Sequence, residues 1–123
     1  MILLNDFYSI VHQESSIGSV KASVSINKEH KIFDGHFPGL PVVPGVCMVQ
    51  MVKEILEVSM NKSLRIVTSD NIKFLSVIDP RLHSEVSATI NYAEANAVFS
   101  IHATLFADQL IFLKLRATLK PAG

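Results

Sequence analysis

Val46, Cys47, Met48, Val49, Met51 and Val52, coiled as a helix, leave no polar face on its first two turns. A helix that is apolar all round has to be buried all round. The chain has 123 residues, enough for one domain, 1–123, so the rest of that domain must supply the cover. Directly ahead of the helix, Gly35, Pro38, Gly39, Pro41, Pro44 and Gly45 crowd into a short stretch, which predicts a loop with a tightly specified backbone. Pro44 suits a helix start, where its missing N–H has no helical partner to lose. Polarity returns with Lys53, Glu54 and Glu57, so the far end is expected to approach the surface, with Asn61 at the C-terminus. The spacing predicts one long buried helix over about 45–60.

The remaining segments carry strand patterns. Residues 7–11 and 19–26 read as strands, the second with Val20, Ala22, Val24 and Ile26 alternating with Lys21, Ser23 and Ser25. After the helix, 64–67, 72–77, 85–92, 98–106 and 110–119 are expected as strands, with turns at Asp79-Pro80-Arg81 and Asp108-Gln109. This order predicts an α+β domain: a curved antiparallel sheet, ending in a four-stranded meander, wrapped around one helix. Open sheet edges would be closed by pairing two protomers, so at least a homodimer is expected.

Composition narrows the function classes. Eleven acidic and eleven basic residues balance, and nothing in that balance calls for nucleic acid or an anionic membrane. No apolar run approaches the ~20 residues of a membrane span. The N-terminus has no basic region and no cleavage site of a signal peptide. With the lone Cys47, which has no partner within the chain, this points to the cytoplasm.

Chemistry concentrates in 33–46, Phe-Asp-Gly-His-Phe-Pro-Gly-Leu-Pro-Val-Val-Pro-Gly-Val. His36 sits in a rigid loop just before a helix that has no Ser, Thr, Asp or Asn cap. Uncapped N–H groups and the helix dipole favour an anion or a developing oxyanion. A base beside such a site can remove a proton next to a carbonyl. On these residues alone, a hydrogen-bonded structural histidine is an equally ordinary reading.

The string Gly35-His36-Phe37-Pro38-Gly39, one residue, then Pro41-Val42-Val43-Pro44-Gly45-Val46 resembles the signature of the β-hydroxyacyl-acyl-carrier-protein dehydratases, the FabZ type more than the FabA type. The likeness extends through the helix and loosely into Ile72-Lys73-Phe74-Leu75. It implies a hot-dog fold, a dimer with active sites at the interface, and a 3-hydroxyacyl thioester substrate on an acyl carrier protein or CoA. It implies His36 as the base and the Gly45 N–H as the group that polarises the thioester carbonyl. An apolar tunnel along the helix would hold the acyl chain, with Phe37, Pro38, Val46 and Val49 as substrate-binding residues. Neither metal nor organic cofactor is implied.

One position departs from the pattern. The family's second catalytic residue, a Glu or Asp fourteen positions after the histidine, is here Gln50. A glutamine can hold a hydroxyl or a water, but it cannot donate a proton as an acid. Four positions on, where the family commonly has Gln, stands Glu54. Its alternatives are a conditional acid reaching back along the helix, or an ordinary surface carboxylate. Three readings follow: an active hydro-lyase with altered acid chemistry; one half of a heterodimer whose related partner supplies the carboxylate; or a non-catalytic acyl-carrier-binding protein. A hot-dog thioesterase is a further alternative, disfavoured because that chemistry also wants a carboxylate near the helix.

Other residues read more plainly. His30 is expected as a solvated loop residue, His102 as solvent-facing, and His12 and His83 without metal-like spacing. Cys47 is expected as a small buried apolar residue. Lys53, Lys62, Arg65, Lys73 and Arg81 are candidates for a basic rim facing an acidic carrier.

Overall fold

The structure, a computed structural model, describes residues 2–34 and 41–123. In chain order it has β1 (Tyr8–Ser16), β2 (Ser19–Ile26), a 3-10 turn (Lys31–Phe33), α1 (Gly45–Met60), β3 (Leu64–Phe74), β4 (Glu85–Ala95), β5 (Val98–Ala107) and β6 (Leu110–Pro121). The strands form one six-stranded antiparallel sheet in the order β1-β2-β4-β5-β6-β3. This is the curved sheet around one helix expected from the sequence.

Alternation makes the core. Val20, Ala22, Val24 and Ile26 on β2, Val86, Ala88 and Ile90 on β4, Ile101, Ala103 and Leu105 on β5, and Leu115, Ala117 and Leu119 on β6 are all buried. They meet Cys47, Met51, Val52, Ile55 and Leu56 of α1 in one cluster. Fully burying each large aliphatic side chain stabilises the fold by about 1.5–3 kcal/mol, the reason a helix this apolar is tolerated here. The helix stops at Asn61, which adopts the left-handed conformation (φ 51°) and donates its N–H to the carbonyls of Glu57 and Val58. β4 and β5 are joined through Asn96 and Ala97, both at positive φ (53° and 62°), the twist that a two-residue hairpin needs.

The structure corrects the expected strand order. β4, β5 and β6 form a meander, but β3 lies beside β6 and not beside β4. The partner edge of β4 is taken by β2, from Ser19↔Asn91 to Ser25↔Glu85, so β3 is displaced to the far edge. The connection over 75–84 carries the chain back, and Val43 N–H donates to the Ile78 carbonyl where it passes the helix start (2.9 Å). The two short strands expected at 64–67 and 72–77 are one continuous β3 ending at Phe74. Its polar middle, Thr68 to Asn71, is accommodated by two irregularities in the pairing with β6. Other strands run longer than the pattern showed; β1 reaches Ser16 and β6 reaches Pro121.

Candidate active site

The candidate site is built around the first half of α1. Pro44 caps the helix with no side-chain hydrogen bond, and no acidic residue stands in the first turn. The N–H groups of Gly45 and Val46 precede the first intrahelical bonds, which run from Cys47 and Met48 to the Pro44 carbonyl (3.0 and 3.3 Å). Among the described residues no side chain caps the positive end of the helix dipole.

Gly45 lets an aromatic ring approach closely. A Cβ there would lie 2.7 Å from Cζ of Phe74, at the end of β3. Phe74, with Val43, Met48, Leu75 and Val77, lines an apolar groove of about 450 Å³ that starts at Gly45. The volume lies in the range of small-molecule sites. Val46 is 64% exposed and Val49 is half-buried against the core. Both lie on the first turns of α1, but neither lines this groove, whose helix residues are Gly45 and Met48. His36, Phe37 and Pro38 lie outside the described residues.

Gln50 and Glu54 are joined. The Gln50 side-chain amide donates to Oε2 of Glu54 at 2.8 Å, one helical turn on. A carboxylate offers only acceptors, so the amide must turn its NH2 toward Glu54 and its Oε1 away. Glu54 is not a surface carboxylate as one reading had it. It is 5% exposed, and among the described residues it is the buried charged group. Besides Gln50, its two oxygens accept from the backbone N–H groups of Leu3 and Leu4 and from the Tyr8 hydroxyl, each at 2.9 Å. Four donors converge on one side chain, which is what a carboxylate needs to be held inside a protein.

Tyr8 is the residue that sequence reasoning missed. Burial, helped by the Glu54 charge, pushes its phenol far above the usual tyrosine range, so it stays a donor. The signal was present in the helix. Cys47, Met51, Glu54 and Ile55 fall on one buried stripe at helical spacing, so Glu54 needed interior donors.

His30 is also corrected. Its side chain is 18% exposed, Nδ1 accepts from the Ile32 N–H (3.0 Å), and Nε2 meets Asp6 at 2.9 Å. It caps the turn that leads toward 35–40 and packs edge-on against Phe7. The expected basic rim is dispersed. Arg81 pairs with Asp79, Lys62 stands over the Phe99 ring, and Arg65 and Lys73 lie near opposite ends of β3. His102 is exposed and Cys47 is fully buried, and burial raises the thiol's pKa. Among the described residues no group of three or more metal-binding side chains occurs, and no helix is long and apolar enough to cross a membrane.

A sequence model of the ApeI-like family, described as ApeI dehydratase, matches residues 12–110. The chain belongs to the ApeI-like dehydratase family. This ApeI-like chain is 31% identical over 114 residues to the 3-hydroxyacyl-[acyl-carrier-protein] dehydratase FabZ of Rickettsia bellii, covering 86% of the chain and 76% of the relative. It is 29% identical to the FabZ of Rickettsia felis, over 96% of the chain and 86% of the relative. Among solved structures, the dehydratase heterocomplex ApeI:P from Xenorhabdus doucetiae aligns with a TM-score of 0.72 at 19% identity, covering 90% of this chain and 96% of that one. A putative thioesterase from Ralstonia eutropha aligns with a TM-score of 0.64 at 14% identity, covering 90% and 83%. Identities this low show the shared fold alone: the ApeI-like chain has the hot-dog fold.

Proposed function

We propose that the chain, read as one hot-dog domain over 1–123, is a hydro-lyase that removes water from a 3-hydroxyacyl thioester to give a trans-2-enoyl thioester. One observation carries the reading: an uncapped helix start opens at Gly45 onto an apolar groove, immediately after the His36 motif. The thioester carbonyl would sit at the Gly45 N–H and the acyl chain along Phe74, Val77, Val46 and Val49. Phe37 and Pro38 are assigned to the same wall through the motif. Developing charge on the carbonyl oxygen is stabilised by the helix start. His36 takes the proton from the carbon next to the carbonyl, the electron pair forms the double bond, and the hydroxyl departs.

That hydroxyl needs a proton. Gln50 cannot supply one as an acid, but its amide is oriented by Glu54, so it can hold the hydroxyl or a water that delivers the proton. Glu54 serves in this reading by holding Gln50. General acid help typically contributes about 100- to 10,000-fold, so turnover below that of a carboxylate-bearing relative is expected. The reaction needs no metal or organic cofactor. The acyl carrier is a carrier protein or CoA in the cytoplasm, as the FabZ relatives' names suggest for the former. A homodimer would cover the exposed β3 edge and Phe74, Leu75 and Val77 beside it.

A heteromeric reading has its own support: Gln50 stands at the acid position, and a structural neighbour is a dehydratase heterocomplex. A related partner chain would then supply the carboxylate. The test is hydration of a crotonyl or longer enoyl thioester, followed by loss of enoyl absorbance. Activity that His36→Ala abolishes supports the enzyme. No activity at several chain lengths from a folded protein, gained on adding a related chain, supports the heterodimer. Activity indifferent to His36→Ala rejects both.

A further inference from the structure

The outward face of the sheet carries an arrangement of charge that its own fold does not explain. On β5 and β6 the buried Ala103, Leu105, Leu115 and Ala117 alternate with His102, Thr104, Lys114 and Arg116, which point the other way. Register places Lys73 of β3 directly opposite Lys114 of β6, and Arg116 directly opposite His102 of β5. A lysine–lysine pair and an arginine–histidine pair therefore sit side by side across three strands.

Like charges directly opposite one another destabilise a sheet. Lys73 and Lys114 are such a pair. The ion pairs among the described residues are His12–Glu14, His30–Asp6 and Arg81–Asp79, so none of the four basic residues is in one. The carboxylate nearest along β3, Asp70, accepts from the hydroxyls of Thr68 and Thr118. The four side chains, with Asn71 and Asn91 at the flanks, line a groove of about 600 Å³.

We propose that this groove binds a small, multiply charged anion of the phosphate-ester or polyphosphate class. An anion seated between the pairs turns the Lys73–Lys114 repulsion into two charge-assisted hydrogen bonds, the Arg116 fork suits a phosphate, and the His102 ring can donate an N–H. Size selects the occupant. Strand spacing sets the basic cluster at roughly 7 Å along the strands and 10 Å across them, the reach of two or three phosphates. A docked protein would need a patch of about 800 Å². The amides of Asn71 and Asn91 supply neutral donors or acceptors at the rim. This site is independent of the helix site and of the activity proposed for it.

The test is calorimetric titration of the full chain with inorganic pyrophosphate at fixed ionic strength. Saturable binding at one site per chain is expected, weakened by about tenfold or more in Lys114→Gln and in Arg116→Gln. Lys62→Gln, remote from the groove, is expected to bind as the parent does. All of these side chains are exposed, and a melting curve for each variant, at or above the parent's, confirms that it folds. No pyrophosphate binding overturns the proposal. So does equal weakening by Lys62→Gln and Lys114→Gln, which marks diffuse charge, and so does binding of polyglutamate without binding of pyrophosphate, which marks an acidic protein surface.

Discussion

Gln50 donates its side-chain amide to the carboxylate of Glu54 at 2.8 Å, so a polar pair runs along the buried helix that shapes the candidate site. The same carboxylate ties down Leu3, Leu4 and Tyr8 at the start of the chain. Glu54 is thereby both the anchor of the N-terminal segment and the group that sets the orientation of Gln50.

Removing that anchor should cost stability. Glu54→Ala leaves two backbone N–H groups and a phenol without their acceptor in a buried site. The expected loss is about 3–5 kcal/mol, the usual result of breaking a buried charged network from one side. Urea denaturation measures it. A loss under 1 kcal/mol would mean that the N-terminal segment finds other partners.

Gln50→Glu tests the exchanged pair. Two carboxylates at hydrogen-bond distance hold one proton between them, which raises the apparent pKa of the pair. A carboxyl pKa raised on folding gives stability at low pH that is lost as pH rises through the folded value. The variant should melt below the parent at pH 8, and the gap should narrow toward pH 5. The shared proton is also an acid beside the proposed substrate hydroxyl, so enoyl hydration should rise by about tenfold or more. Gln50→Glu with Glu54→Gln should keep the gain in rate and lose the pH-dependent penalty.

Tyr8 makes the fold sensitive to alkali. Its phenol is held above the ordinary value near 10, so above that pH the unfolded chain releases a proton that the folded one retains. Stability contributed by this group is complete below pH 10 and falls as pH rises further, at up to about 1.4 kcal/mol per pH unit. Melting curves between pH 8.5 and 11 should fall less steeply for Tyr8→Phe than for the parent. Parallel curves would remove Tyr8 from the account.

Gly45→Ala probes the groove. The added methyl meets the tip of the Phe74 ring, which is 53% exposed and free to swing outward. The expected cost in stability is therefore small, under about 1 kcal/mol, since the ring yields and not the backbone. The groove wall moves with the ring, so KM for a long-chain enoyl thioester should rise while the melting temperature holds. Phe74→Leu in the same chain should restore KM.

Much of this was legible in the residues. The apolar run at 46–52 and the period-2 strands announced the helix and sheet because burial dictates both patterns, but the expected all-round burial is not met: Val46 is 64% exposed and Val49 and Gln50 are half-buried, so the sheet covers one side of α1. The Pro44-Gly45 start was legible because its backbone constraints are local. The place of β3 was not, since residues 64–74 alternate no differently for one neighbour than for another; the choice is made by β2 taking the β4 edge. Tyr8 and Glu54 are forty-six positions apart, and no local pattern joins them. The cross-strand opposition of Lys73 and Lys114 likewise needs the register of β3 on β6, which sequence spacing does not reveal.

The passage of β3 to the far edge also orders events during synthesis. Among the described residues its strand neighbour is β6, which follows it in the chain after β4 and β5. Until Leu113, Leu115 and Leu119 emerge, the helix stands without one wall of its enclosure and β3 has nothing to pair with. Pairings that wait on distant segments are slow to form, and exposed apolar surface in the interval invites aggregation. Removing β6 would thus leave β3 without a partner and bare one edge of β5.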